Sequence, residues 1–293
     1  MKRILITGQN SYIGSSFVNW MKVYEREYQF DTIDLKDSSW RNRDFSIYNS
    51  IIHLAAIVHV KVKSEAIYYQ VNRDLAVEVA KKALKENVQQ FIFFSTMSVF
   101  GKDTGTITEH TIPKPNNPYG KSKREAELLL TELQSDNFKV AVVRPPMIYG
   151  PHAVGNYQRL SKLANKTKLF PKVYNKRSML FSENLFRFIK ICLDNELHGI
   201  FHPQNSKYVN TTELVKQIAI ENRKNIFFVR GCSSLINILS KKFKFLNKVF
   251  GSLTYDKTLS GTPDTYFGEV YMDYASTEFE TSIRLTENKD DYQ

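Results

Sequence analysis

At 293 residues the chain exceeds one typical domain of about 150, and its 42% hydrophobic and 13% aromatic content excludes a disordered polypeptide. Forty-one Lys and Arg against 30 Asp and Glu give a net charge of +11, which attracts anions in general. No helix-turn-helix, zinc-finger or aromatic RNA-binding signature accompanies that charge, so nucleic acid is not the expected partner.

In chain order, Lys2–Thr7 reads as a short buried strand. Its apolar core of Ile4, Leu5 and Ile6 is too short for a secretory leader. Gly8 to Gly14 forms a glycine-rich turn into a helix expected to run to about Tyr24. Such a turn is either an ordinary strand-to-helix connection or a cradle in which backbone N–H groups approach a pyrophosphate. Phe30–Leu35 is a second strand. At its end Asp34 can accept ribose hydroxyls and repel a 2′-phosphate, favouring NAD, whereas Lys36, Arg41 and Arg43 could pair with the phosphate of NADP. Ser50–Ala56 is a third strand. His53 and His59 interrupt the apolar run from Ile51 to Val60, so it does not span a membrane. A helical pattern from Glu65 to Glu86 is followed by strands at Phe91–Ser95 and Lys139–Arg144. Strands alternating with helices predict a parallel sheet wound on both faces, with ligands beyond the strands' carboxyl ends.

Between the last two strands stands Pro118-Tyr119-Gly120-Lys121-Ser122-Lys123, followed by a helix-forming run. Proline suits the first turn of a helix, placing Tyr119 and Lys123 one turn apart at i and i+4. A nearby ammonium lowers a phenol's pKa, and a tuned tyrosine can take a proton from a hydroxyl or give one to a ketone. By itself the pattern equally describes a Tyr and a Lys on a surface helix. Cys192 and Cys232 have neither metal-ligand nor disulfide spacing and read as buried thiols, so no metal is expected and a reducing cytoplasm is the expected home.

Several stretches occur together: Thr7-Gly8…Gly14, His53-Leu54-Ala55-Ala56, Val71-Asn72, Ser95 to Gly101, Tyr119…Lys123 and Arg144 to Pro151. In this order and spacing the chain resembles the extended short-chain dehydrogenase/reductases, in their nucleotide-sugar epimerase/dehydratase branch, from Lys2 to about Val215. The resemblance implies an α/β Rossmann domain, a doubly wound parallel sheet over residues 1–150, with a smaller C-terminal substrate lobe over 151–293. Part of 177–205 is expected to return to the first domain. It implies a homodimer, NAD or alternatively NADP as cofactor, and a UDP-sugar as substrate. Thr96, Tyr119 and Lys123 are then the catalytic set. The cofactor is expected on Gly8, Ser11, Tyr12, Ile13, Gly14, Asp34, Leu54, Ala55, Ala56, Asn72, Ser95, Tyr119 and Lys123. The substrate is expected on Thr96, Met97, Ser98, Asn156 and Arg177, with Arg177 gripping a phosphate and Asn156 either capping a helix or touching the diphosphate.

The departures from the family pattern narrow the reaction. Met97-Ser98 stand where the dehydratases carry Asp-Glu, and Ser98 where the decarboxylases carry Glu, so hydride transfer at one carbon remains. Reduction of a UDP-4-keto-6-deoxy-N-acetylhexosamine in surface polysaccharide synthesis leads, with a UDP-sugar 4-epimerase as the alternative. A dinucleotide sensor without activity is the rival from another class, but such proteins usually lose the tyrosine or lysine, and both are present here. Ser11 replaces the middle glycine of the fingerprint and Asn184 a usual aspartate. Only 15 residues separate Asp34 from the next strand, too few for the usual adenine-side helix. No second phosphate-binding arginine is recognisable beyond about Lys216. His59, His152 and His202 read as packing or surface residues. The basic amphipathic stretch 235–250 is expected either to pack as a lobe helix or to touch an anionic membrane peripherally. Residues 287–293 read as a loose tail.

Overall fold

The structure is a computed structural model and describes residues 1–58, 64–231, 247, 250–261 and 273–288. The chain forms two compact units. One comprises Met1–Gly101, Ile112–Pro145 and Phe188–His202; the other comprises Lys102–Thr111, Pro146–Arg187 and Pro203–Gln293.

The first unit is built on a parallel sheet of six strands, in the order β2 (Tyr28–Ile33), β1 (Lys2–Thr7), β3 (Ser50–His53), β4 (Gln90–Phe94), β6 (Lys139–Val143) and β10 (Gly199–Phe201). Every residue of β3 and β4 is buried, as strands covered on both faces require. Ala76, Val79, Ala80 and Ala83 of α3 (Leu75–Lys85) and Ala126 and Leu130 of α4 (Pro118–Thr131) share one core with Ile51, Phe91, Phe93 and Val142 of the sheet. The chain passes from β1 to β2 on one side and then to β3 on the other. The loops after β1 and β3 therefore meet at the switch point where such sheets bind ligands.

Local departures from the expected elements have local causes. Helix α1 (Tyr12–Trp20) gives way to a 3₁₀ turn at Met21–Tyr24. The second strand begins and ends two residues earlier than predicted, held by pairing with β1 from Lys2↔Tyr28 to Thr7↔Ile33. Between β2 and β3 lies a 3₁₀ turn at Ser38–Asn42, capped by Asp37 and anchored by buried Trp40, in place of an adenine-side helix. The long helix is broken into α2 (Ala66–Tyr69) and α3 by a π-turn at Gln70–Asp74, a form that clusters at functional sites.

The second unit contains three parallel strand pairs: β5 (Gly105–Ile107) with β12 (Leu253–Tyr255), β7 (Met147–Tyr149) with β9 (Met179–Phe181), and β8 (Leu169–Pro171) with β11 (Phe227–Val229). Its core joins Tyr149, Tyr157, Phe170, Phe181, Leu214 and Ile218, with α5 (Asn156–Lys166), α7 (Thr211–Glu221) and α8 (Phe279–Glu287) contributing. Asn210 caps α7 by accepting from the N–H groups of Thr212 and Glu213. Helix α6 (Ser182–Asp194) carries the chain back to the first unit. The units part at Pro145 rather than 150, and the returning segment is Phe188–His202. Residues 102–111 also belong to the second unit, because β5 pairs with β12, a long-range contact with no sequence signal.

Two expectations about this half change. Glu287 is no loose tail: it ends α8 and accepts from Tyr157 Oη (2.8 Å), Ser161 Oγ (2.9 Å) and Asn222 Nδ2 (2.8 Å). Asn184 is buried, donating to Asn205 Oδ1 (2.9 Å) and accepting from Arg187 Nη1 (3.1 Å), so it has an internal structural task. The stretch 235–250, Cys232 and His59 lie outside the described residues, save Asn247 and Phe250. No described helix is long and apolar enough to cross a membrane.

Candidate active site

The dinucleotide end is built from the turns that leave β1, β2 and β3. Gly8 has φ +88°, and a Cβ there would lie 3.0 Å from Ala55 N, so the first and third turns meet where no side chain fits. Ser11 caps α1, its Oγ accepting from Gly14 N at 3.2 Å. The serine that replaces the usual middle glycine thus satisfies one N–H of the helix terminus. Asp34 follows β2, with Lys36 Nζ 3.5 Å from its carboxylate. Arg41 is committed to Glu78 through two bonds of 2.5 and 2.7 Å, and Arg43 to Tyr48 and Asp31. Neither arginine is held in reserve for a 2′-phosphate. A side-chain-free turn, a helix N-terminus and a carboxylate after the second strand fit a dinucleotide such as NAD.

The side chains of two predicted cofactor residues take part in internal hydrogen bonds. Asn72, buried in the π-turn, receives from Ile57 N (2.8 Å) and donates to Ile57 O (3.0 Å) and Ser122 Oγ (3.2 Å). It struts the loop that continues from Leu54, Ala55 and Ala56 against α4. Ser95 is buried and donates to Glu127. Both side chains are buried and hydrogen-bonded within the fold.

The catalytic candidates converge at the ends of β4 and α4. Asn117 caps α4 by accepting from Gly120 N at 2.9 Å, and Pro118 occupies its first turn. Gly120 is a contact requirement, since a Cβ there would lie 2.7 Å from Ser98 O. That approach seats the turn Met97–Phe100 against α4, with Thr96 capping it at 3.1 Å from Ser98 N. The Thr96 hydroxyl lies close enough to the Tyr119 phenol to oppose the rise in its pKa.

Lys123 is almost wholly buried, donating from Nζ to Phe94 O at 2.7 Å and standing 4.4 Å from the Phe93 ring centroid. Desolvation brings its pKa down to about 7, partly opposed by Glu127. Burial pushes Tyr119 up to about 12, partly opposed by its bond to Thr96. Burial sets the direction of both shifts. The ammonium is spent on a carbonyl and a ring, and desolvation outweighs the opposing bond.

Behind this set lies a network that the motif reading did not use. Glu127 Oε1 accepts from Arg144 Nε at 2.9 Å, and Oε2 from Arg144 Nη2 at 2.7 Å and Arg124 Nη1 at 3.0 Å. Both members of the Glu127–Arg144 pair are buried, and Arg144 also lies over the Phe100 ring. The available signal was the i+4 spacing from Lys123 to Glu127. His53 packs between Phe91 and Phe93, its Nδ1 3.0 Å from Thr7 Oγ1. Burial, with Lys123 adding repulsion, takes its pKa down to about 3, so it is neutral. His202 is likewise held near 3 by burial and by Arg144.

In the second unit a cavity of about 280 Å³ is lined by Asn156, Arg159, Leu160, Leu163, Arg177 and other, mainly aliphatic, residues. Asn156 is not the cap of α5: Gly155, at φ +114°, takes that position, and Asn156 is the first helical residue, exposed to the cavity. Arg177 is no free surface residue, its Nη1 donating to Gly251 O (2.9 Å) and Asn247 O (3.3 Å). Arg159 was not singled out from the sequence. Among the described residues, no group of three or more His, Cys, Asp or Glu side chains is placed to hold a metal ion.

Comparison with known proteins agrees with this geometry. The chain is 28% identical over 299 residues to a UDP-glucose 4-epimerase of Vibrio cholerae, covering 90% of this chain and 89% of that one. It has the fold of the UDP-glucuronic acid 4-epimerase of Bacillus cereus in complex with NAD, with a TM-score of 0.73, 16% identity and 98% of each chain covered. It also resembles the dTDP-4-dehydrorhamnose reductase of Bacillus anthracis in complex with NADP, with a TM-score of 0.64 and 23% identity over 80% of this chain and 86% of that one. Residues 4–199 match the NAD dependent epimerase/dehydratase family. The chain belongs to that family, and it is an NAD-dependent enzyme of the extended short-chain dehydrogenase/reductase type.

Proposed function

We propose that this enzyme moves hydride at C4 of a UDP-sugar, reducing a 4-keto-6-deoxy-N-acetylhexosamine in polysaccharide synthesis. The observation that carries the reading is the meeting of Thr96 and Tyr119 beside buried Lys123, with Met97 and Ser98 in place of carboxylates. The turns at Gly8, Ser11–Gly14, Asp34 and Leu54–Ala56 would hold NAD, which supplies or accepts the hydride. Thr96 orients the sugar oxygen, and Tyr119 exchanges a proton with it. A protonated phenol can give its proton to a ketone, and its conjugate base can take one from a hydroxyl. Lys123 fixes the floor of the site through Phe94 O. Asn156 and Arg177 line the cavity assigned to the UDP moiety. Elimination of water would need an acid and a base beside Thr96, and the side chains there are a thioether and a hydroxyl.

The similarity to the Vibrio cholerae UDP-glucose 4-epimerase favours a second reading, 4-epimerisation through a ketone on the same residues. Product analysis by NMR separates the two. Stoichiometric oxidation of reduced dinucleotide by a 4-keto sugar marks the reductase, and a C4 epimer without net cofactor change marks the epimerase. In either case Tyr119→Phe should lower kcat on the order of 10²–10⁴-fold with dinucleotide affinity unchanged. Near-wild-type turnover in that variant would falsify the assignment.

A further inference from the structure

Along α5 the residues that face the cavity are Asn156, Arg159, Leu160 and Leu163, the i, i+3, i+4, i+7 stripe of one helix face. The stripe is polar in the first turn and aliphatic in the second. Opposite it stand Met147, Met179 and Leu214 together with Arg177, so two guanidinium groups border one largely apolar chamber. Their situations differ. Arg177 is partly buried and donates to two backbone carbonyls, a fixed cation that also holds Asn247 and Gly251. Arg159 is exposed, and among the described residues its guanidinium makes no hydrogen bond or ion pair. Helix α5 carries no acidic residue, so nothing on its own element neutralises Arg159.

We infer that Arg159 is a second diphosphate ligand, supplying from α5 an arginine where no motif beyond about Lys216 marks one; this rests on the assignment of the cavity to a UDP-sugar. A diphosphate carries more charge than one guanidinium offsets, and a planar fork matches phosphate oxygens in pairs. Arg177, with Nη1 tied to carbonyls, presents part of its fork. Arg159, one turn from Asn156 and near the N–H groups of the α5 terminus, presents all of its own. The aliphatic second turn then lies against the uridine rather than the phosphates.

Calorimetry on the full chain with UDP and with uridine tests this. Arg159→Ala should weaken UDP binding about 10- to 100-fold, the worth of a charge-assisted hydrogen bond, and leave uridine binding unchanged. Arg159→Lys should recover part of the loss, because the charge remains and the fork does not. Added salt should weaken UDP binding to wild type more than to Arg159→Ala, since an exposed charge is screened. Wild type that binds UDP alongside an Arg159→Ala variant that binds it equally well overturns the proposal and leaves the cavity assignment standing. Equal losses for UDP and uridine also overturn it, by making Arg159 a packing residue. Wild type that does not bind UDP removes the cavity assignment itself, and the proposal with it.

Discussion

Glu127→Ala would take a carboxylate that Arg144 bonds out of a site where both side chains are within 5% of full burial. The carboxylate accepts two bonds from Arg144, one from Arg124 and one from the Ser95 hydroxyl. Breaking a buried pair by removing one partner costs about 3–5 kcal/mol, because a desolvated charge is left behind. For a unit of this size each kcal/mol lowers Tm by roughly 2–4 °C, so a fall of roughly 6–20 °C is expected. Replacing both charges, as in Glu127→Leu with Arg144→Met, should recover most of the loss, since the desolvation penalty disappears with the pair. The milder Glu127→Gln should fold and report on Lys123. Glu127 raises the lysine pKa against desolvation. Losing that charge lowers it further, and activity that needs the ammonium should fade at lower pH than in wild type. Thermal unfolding followed by circular dichroism, with pH–rate profiles, measures both effects. A Glu127→Ala variant within 1 °C of wild type, or a double variant as unstable as the single one, would refute the reasoning.

Two further predictions follow from buried and committed charges. His53 is neutral in the fold with a pKa near 3 against 6.5 unfolded, so the unfolded chain binds the extra proton as pH falls. Its contribution is complete above about pH 6.5 and is lost toward pH 3 at about 1.4 kcal/mol per pH unit; His53→Asn should flatten that slope in urea titrations, and an unchanged slope would remove His53 as its source. With Arg41 and Arg43 engaged, NADH should bind more tightly than NADPH, and Asp34→Ala should narrow the gap; tighter NADPH in fluorescence titrations would show that Lys36 governs the choice.

The sequence by itself determined the alternation of strands and helices, because burial on both faces of a parallel sheet demands unbroken apolar runs such as Phe91–Phe94. It also determined the seat of Tyr119. The Asn117 cap, Pro118 in the first turn and an i+4 lysine are local signals that tertiary contacts did not override. What each polar group does once seated was decided only by the tertiary structure. Lys123 and Tyr119 read as a base beside a cation; desolvation, invisible in a linear pattern, pushes the Tyr119 pKa up and the Lys123 pKa down. Asn72 and Ser95 stand in the family motifs, and only the fold brings them against Ser122 and Glu127, 50 and 32 residues away. Arg159 and Glu287 illustrate the same limit on ordinary-looking helices: one is left facing a cavity and the other gathers three donors, according to what long-range packing brought opposite them.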